Sequence, residues 1–297
     1  MNAHCRAVDA PFRVRRAEVW LGTLVAITAC AHTERHAVDG VRAAFAVIAR
    51  IHKALSGHEA DSELSRINRN AACAKQGISL DLRAVVECAL QVAAHSAGVF
   101  DPTIGGELAA LGFLPRIADC DRRTTWRDVV VDDQGLAFKR ALVLDLDGIA
   151  KGYAVDRASD VLRDAGASHG VVNAGGDLRV HGPAAETVDV RTGGPQGARL
   201  PLIAIADGAV ATSAYGGRRR RILGRVATPL IDPRTRRPSM TTRTVSVAAP
   251  TCMIADALTK VVALQGMRAK GVLAFYGASA AILSPSQGRW RCTRLPR

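Results

Sequence analysis

Two periodicities alternate along this chain. In residues 19–29, Val19, Leu21, Thr23, Val25 and Ile27 alternate with Trp20, Gly22, Leu24, Ala26 and Thr28, the two-residue period of a strand. From residue 34 to 55 the period lengthens. Val38, Val41, Ala44, Phe45, Ile48, Ile51 and Leu55 fall on one stripe of a helix. Ser62 opens a short helix over 62–68, with an acid, Glu63, in its first turn. A longer helix follows over 80–96, carried by Leu82, Val85, Val86, Ala89, Leu90 and Ala93 and closed by Gly98. Residues 108–113 read as a short helical or loop segment. Residues 126–131 and 136–138 read as a strand pair turning at Asp132-Asp133-Gln134-Gly135.

The middle of the chain, residues 142–177, reads as strand, turn, helix, strand and turn. The first strand is expected at 142–146. The turn Asp147-Gly148-Ile149-Ala150-Lys151-Gly152 follows, then a helix marked by Tyr153, Val155, Ala158, Val161 and Leu162 and ended by Gly166. A strand at 170–173 runs into Ala174-Gly175-Gly176-Asp177. Beyond it, strands are expected at 178–181, 188–191, 200–205, 209–213 and 244–249. A helix is expected at 250–266, and a closing strand pair at 271–276 and 280–283. Helices come early and strands late, without regular alternation. This is the signature of an α+β fold with a largely antiparallel sheet core and flanking helices. The division expected is an N-terminal extension (1–18), one domain (19–285) and a C-terminal tail (286–297).

Composition changes this picture little. The 297 residues are 48% hydrophobic and 23% charged, ordinary for a globular chain. The net charge of +13 favours acidic partners: nucleic acid, anionic membrane or a phosphorylated small molecule. The one dense basic run is 218–221, read as a solvated loop. The seven cysteines, Cys5, Cys30, Cys73, Cys88, Cys120, Cys252 and Cys292, show no CxxC spacing, which argues against a disulfide framework or a zinc site and suits a reducing compartment. The basic residues before the apolar run at 19–29 imitate an export signal, but Glu18 and the strand-like alternation read as the first strand of the fold. With no apolar run approaching about 18 residues, no membrane span is expected, and the cytoplasm is the expected compartment.

The chemistry concentrates at the Gly-Lys turn. Glycines let backbone N–H groups approach a ligand, a helix N-terminus favours negative charge, and Lys151 adds a full positive charge: together an anion site. Asp256 and Lys260 lie one helical turn apart and can pair. His58 reads as a loop histidine with no carboxylate at a recognisable spacing to orient it.

Eight short pieces in order resemble the FAD:protein FMN transferase (ApbE-like) family. They are Leu21-Gly22-Thr23; Asp61-Ser62-Glu63-Leu64-Ser65-Arg66-Ile67-Asn68; Phe100-Asp101-Pro102-Thr103; Asp147-Gly148-Ile149-Ala150-Lys151-Gly152-Tyr153-Ala154; Val172-Asn173-Ala174-Gly175-Gly176-Asp177; Ala211-Thr212-Ser213; Leu230-Ile231-Asp232-Pro233-Arg234-Thr235; and Ala255-Asp256-Ala257-Leu258. The resemblance implies an α+β enzyme that binds FAD with Mg2+, splits its pyrophosphate, moves FMN onto a threonine or serine hydroxyl of a target flavoprotein or redox-complex subunit, and releases AMP. It implies Asp256 and Lys151 as catalytic residues. It implies FAD contacts from Leu21, His58, Val99, Phe100, Asp101, Asp147, Lys151, Asn173, Asp177 and Leu230. The Ala150 carbonyl and Asp256 would ligate magnesium. The family's next ligand, a threonine, is Lys260 here, with Thr259 one position earlier as a displaced ligand. Other departures are His58 where the family carries an aromatic, Pro229 in place of a histidine, and Arg236 in place of a glycine. Two further readings compete with transfer: a flavin-binding relative that only binds or hydrolyses FAD, and a basic nucleic-acid-binding module, for which no recognition motif is present.

Overall fold

Eight antiparallel strands form the central sheet of the protein, a computed structural model that describes residues 12–116, 120–121, 123–191, 199–215, 220–222, 225–286 and 289–296. The chain opens with β1 (Phe12–Trp20) and β2 (Thr23–Ala31), then α1 (Glu34–Leu55), α2 (Glu63–Asn70), α3 (Leu80–His95) and α4 (Gly105–Ala110). A hairpin, β3 (Val129–Asp132) and β4 (Gly135–Phe138), precedes α5 (Ala150–Asp164), β5 (Ala167–Ala174) and β6 (Asp177–His181). Then come β7 (Glu186–Arg191), β8 (Arg199–Ile205), β9 (Gly208–Ala214) and the short strands β10 (Arg220–Ile222), β11 (Arg225–Ala227), β12 (Ile231–Asp232) and β13 (Arg237–Pro238). The chain closes with β14 (Thr244–Ala249), α6 (Cys252–Gln265), α7 (Lys270–Phe275), β15 (Ser279–Ser286) and β16 (Arg289–Leu295). The sheet order is β1-β2-β5-β6-β9-β14-β15-β16, and every pairing in it is antiparallel. The α+β reading from the sequence therefore holds.

Strand alternation divides the sheet into two faces. Val25, Ile27 and Ala29 of β2 pack with Val41, Phe45 and Ile48 of α1 and Val155, Ala158 and Leu162 of α5. Fully burying each such valine, isoleucine or leucine contributes about 1.5–3 kcal/mol. The intervening Leu24, Ala26 and Thr28 look onto a cleft on the opposite face. Ser62 caps its helix as the sequence indicates, and Thr33 and Ser79 do the same for α1 and α3, each accepting a backbone N–H of the helix that follows.

Several expectations need correction. The strand read at 19–29 is a hairpin: β1 and β2 turn at Leu21-Gly22, whose φ angles are 54° and 69°. A leucine in the left-handed region is uncommon, and the apolar alternation runs on through the turn, which hid it. β1 reaches into the stretch read as an extension, and β16 pairs with β15 in the stretch read as a tail. Residues 142–146 form no strand. Their backbone is instead held from outside the sheet. The Asn68 side chain donates to Leu144 O (2.9 Å) and accepts from Leu144 N (2.8 Å), Asp145 N donates to Pro102 O, and Val143 O accepts Gly105 N. Residues 126–128 form a 3-10 turn closed by Thr125 and Asp128. Of residues 271–276, expected as a strand, all but Tyr276 belong to α7, where Leu273 carries the burial and Tyr276 follows the last turn. Of the basic run 218–221, positions 218 and 219 lie outside the described residues. Among the described residues no helix is long and apolar enough to cross a membrane.

Candidate functional site

The N-termini of α5 and α6 cross, and each is capped by an acid from the other. Gly152, in the first turn of α5, allows the approach: a Cβ there would stand 2.3 Å from the Cys252 carbonyl oxygen. Asp156 of α5 accepts from Cys252 N and Met253 N, both at 2.8 Å. Asp256 of α6 in turn accepts from Gly152 N at 3.4 Å. An acid at a helix N-terminus satisfies N–H groups that have no partner inside the helix. The exchange fixes Lys151 at the second position of α5, facing the cleft.

Beside Lys151 lies Asp177, the first residue of β6. The tight turn before it uses Gly175 and Gly176 at φ 64° and 109°, and Asn173 Oδ1 accepts Gly176 N at 3.1 Å to hold it. Asp177 is fully buried. Lys151 Nζ stands 2.7 Å from its Oδ2 as an ion pair, while neither carboxylate oxygen receives a well-directed hydrogen bond. Burial and the neighbouring Asp256 push the Asp177 carboxyl up to about 6, against the pull of Lys151 and Lys260. Burial works against the Lys151 charge, but Asp177 and Asp256 outweigh it and hold this ammonium above the usual lysine value.

A cleft of about 1420 Å³ opens in front of this pair. It exceeds the roughly 300–1,000 Å³ of a small-ligand pocket and suits a dinucleotide. Of the residues expected from sequence, it brings together His58, Val99, Phe100, Asp101, Asp147, Lys151, Asn173, Leu230 and Lys260. Asp177, Asp256, Thr259 and Ala150 stand behind this lining, buried in the wall. Leu21 is not in the lining; it sits at the β1–β2 turn and packs on the two main cores. Asp101 is a structural anchor as well as a lining residue: it accepts from Thr103 N, Thr103 Oγ1 and Trp126 N, and burial raises its carboxyl.

The cleft also holds residues to which the sequence assigns no site role. Arg13 and Arg15 of β1, Thr212 and Ser213 at the end of β9, Tyr215, Arg220 and Asp145 line it. Burial and the adjacent Asp147 push the Asp145 carboxyl up to about 7. His58 has a partner that sequence spacing did not reveal: its Nε2 lies 3.6 Å from Asp147 Oδ2. That contact raises the histidine above its ordinary value, outweighing the opposing effect of burial. The Asp-Pro turn at Asp232 is completed by Arg236 at φ 58°, a conformation that favours glycine. Its guanidinium pairs with Glu107 and donates to Thr124 O.

The ApbE family profile matches residues 21–282. The chain belongs to the ApbE family. An FAD:protein FMN transferase of Vibrio cholerae is 28% identical over 239 residues, covering 71% of this chain and 69% of that one. One from Salmonella typhimurium is 26% identical over 224 residues, covering 68% and 64%. The structure of an ApbE protein from Thermotoga maritima superposes with a TM-score of 0.79 at 28% identity, covering 91% of this chain and 94% of that one. The apo flavinyl transferase ApbE of Pseudomonas stutzeri shares the fold, with a TM-score of 0.81 at 22% identity and coverage of 95% and 94%.

The magnesium that the resemblance to ApbE proteins implies meets a changed donor set. The Lys260 ammonium contacts Asp256 Oδ1 and also donates to the Asp256 carbonyl at 3.0 Å. The Thr259 hydroxyl donates to the same carbonyl at 2.7 Å and bonds Ser213 Oγ at 2.9 Å. Among the described residues no cluster of three or more His, Cys, Asp or Glu is arranged to hold a metal. Magnesium demands near-octahedral oxygens. An Asp256 already bound by an ammonium and an N–H does not fit that demand.

Proposed function

We propose that this protein is an FAD:protein FMN transferase. It binds FAD in the cleft, splits the pyrophosphate, and attaches FMN through a phosphoester to a threonine or serine of a flavoprotein or redox-complex subunit. The observation that carries this reading is Lys151 at the N-terminus of α5, opening onto a cleft of dinucleotide size in a chain of the ApbE family. The relatives named for that activity support it.

Phosphoryl transfer asks mainly for alignment and charge neutralisation. Lys151 and the α5 N-terminus serve the pyrophosphate oxygens; Phe100, Val99 and Leu230 offer apolar wall to the ring systems. The acceptor hydroxyl oxygen bonds to the FMN phosphorus, the bond to the AMP oxygen breaks, and AMP leaves with the electron pair. Asp145 supports the role of proton acceptor, because it lines the cleft and its carboxyl divides between its two forms near neutrality. Magnesium would supply further charge neutralisation to a donor set that fits it; Asp256, held by Lys260 and Gly152 N–H, does not. The compartment we favour is the cytoplasm: Cys73, Cys88, Cys252 and Cys292 carry free thiols, which suits a reducing environment.

The test is to incubate the purified chain with FAD and a purified acceptor subunit bearing the target threonine. Mass spectrometry reads the FMN adduct and chromatography reads AMP. Adduct with AMP supports transfer. AMP alone supports FAD hydrolysis, the reading that the Lys260–Asp256 contact favours next. Neither product overturns the assignment.

A further inference from the structure

Resting on the transfer reading, we infer that the Lys260 ammonium is the fixed cation of this site, standing on Asp256 where a divalent metal would otherwise be needed, so that this chain turns over FAD without a metal ion.

Every acceptor atom of Asp256 is engaged. Oδ1 takes the Lys260 ammonium, Oδ2 takes Gly152 N–H, and the carbonyl takes both Lys260 Nζ and the Thr259 hydroxyl. A metal on this carboxylate must first expel the lysine. The lysine is built in rather than draped over the surface. Its side chain is 20% exposed against 1% for Asp256, and the stem runs beside Gly148, where a Cβ would lie 3.3 Å from Lys260 Cε and 3.5 Å from the Phe100 ring. The glycine of the Gly-Lys turn thus makes room for the lysine.

Charge counting agrees. Behind the Gly-Lys turn the carboxylates of Asp177 and Asp256 are paired one to one with the ammonium groups of Lys151 and Lys260, a set counted apart from Asp101, Asp145 and Asp147 in the lining. The set is neutral before substrate enters, and a divalent ion would add two positive charges to it. An ammonium carries three donors. Lys260 spends two on Asp256 and lines the cleft, so the third remains for a pyrophosphate oxygen. There it offers a preorganised positive charge to the oxygens that gain charge in the transition state.

The test uses the full chain, freed of metal with EDTA, and Mn2+ as a probe read by electron paramagnetic resonance. The wild type is expected to leave added Mn2+ free, whereas Lys260→Thr binds one ion. FAD cleavage, read as AMP, is expected to change by less than about twofold between EDTA and excess Mg2+ in the wild type. In Lys260→Thr with EDTA it falls by about 100-fold, and Mg2+ restores at least about tenfold of it. The proposal is overturned if the wild type binds one Mn2+ tightly, or if its cleavage collapses in EDTA and returns with Mg2+. Both wild-type arms stand even if the variant fails to fold. If no AMP forms under any condition, the transfer reading fails, and the Mn2+ arm still decides the cation assignment.

Discussion

Replacing Lys151 with methionine removes the ammonium in ion-pair contact with Asp177 and leaves that carboxylate buried with Asp256 nearby. Stranding one partner of a buried pair costs about 3–5 kcal/mol. Lys151 is 27% exposed along its side chain, so water relieves part of the penalty and the low end, about 3 kcal/mol, is expected. The loss depends on pH, and the direction follows from Asp177. Its folded carboxyl is raised, to about 6, so the folded state holds more protons than the unfolded one between the ordinary aspartate value and about 6. Stability contributed by this group is therefore present at acid pH and declines as pH rises through that window. Without Lys151 the carboxyl rises further. The variant should lose about 3 kcal/mol at about pH 8 and clearly less at about pH 5, where Asp177 is protonated in both proteins. Urea unfolding followed by circular dichroism at the two pH values reads this. Adding Asp177→Asn to the variant should recover most of the loss at the higher pH. A Lys151→Met variant that unfolds with the wild type at about pH 8, or whose deficit is the same at both pH values, would refute the buried-pair account.

Three further outcomes follow from the same geometry. Asp156→Asn turns an amide toward the Cys252 and Met253 N–H groups that the carboxylate accepts; it should destabilise the protein by about 2 kcal/mol, read as a lowered urea midpoint. Gly152→Ala drives a methyl into the Cys252 carbonyl and should cost about 3 kcal/mol or more, with a lowered melting temperature in calorimetry. Asn68→Ala releases the Leu144 backbone and loosens the segment that carries Asp145 and Asp147; stability should fall by about 2 kcal/mol, and FAD affinity measured by flavin fluorescence should fall with it.

What could be read in the sequence was local. The helix of α1 matched its apolar stripe, β14 matched the strand expected at 244–249, and the Gly-Lys turn announced an anion site because glycines, lysine and helix start are adjacent in the chain. The failures have long-range or conformational causes. The β1–β2 turn was missed because Leu21 takes a left-handed conformation that its side chain disfavours. Residues 142–146 have a strand's pattern, yet Asn68, far upstream, claims their backbone. The reciprocal caps Asp156 and Asp256, and the pairing of His58 with Asp147, join residues about 90 to 100 positions apart, beyond any periodicity. The Asp256–Lys260 contact, by contrast, was visible as an i,i+4 pair; the structure adds that it occupies the carboxylate and leaves the lysine facing the cleft.

FMN transfer requires that FAD be cleaved so that its FMN half ends on a protein hydroxyl. The most direct measurement is the ratio of FMN-modified acceptor to AMP in one reaction with FAD, using the acceptor and its threonine-to-alanine variant. One adduct is expected for each AMP with the native acceptor and none with the variant. AMP accumulating without adduct, at the same rate with either acceptor, would contradict transfer.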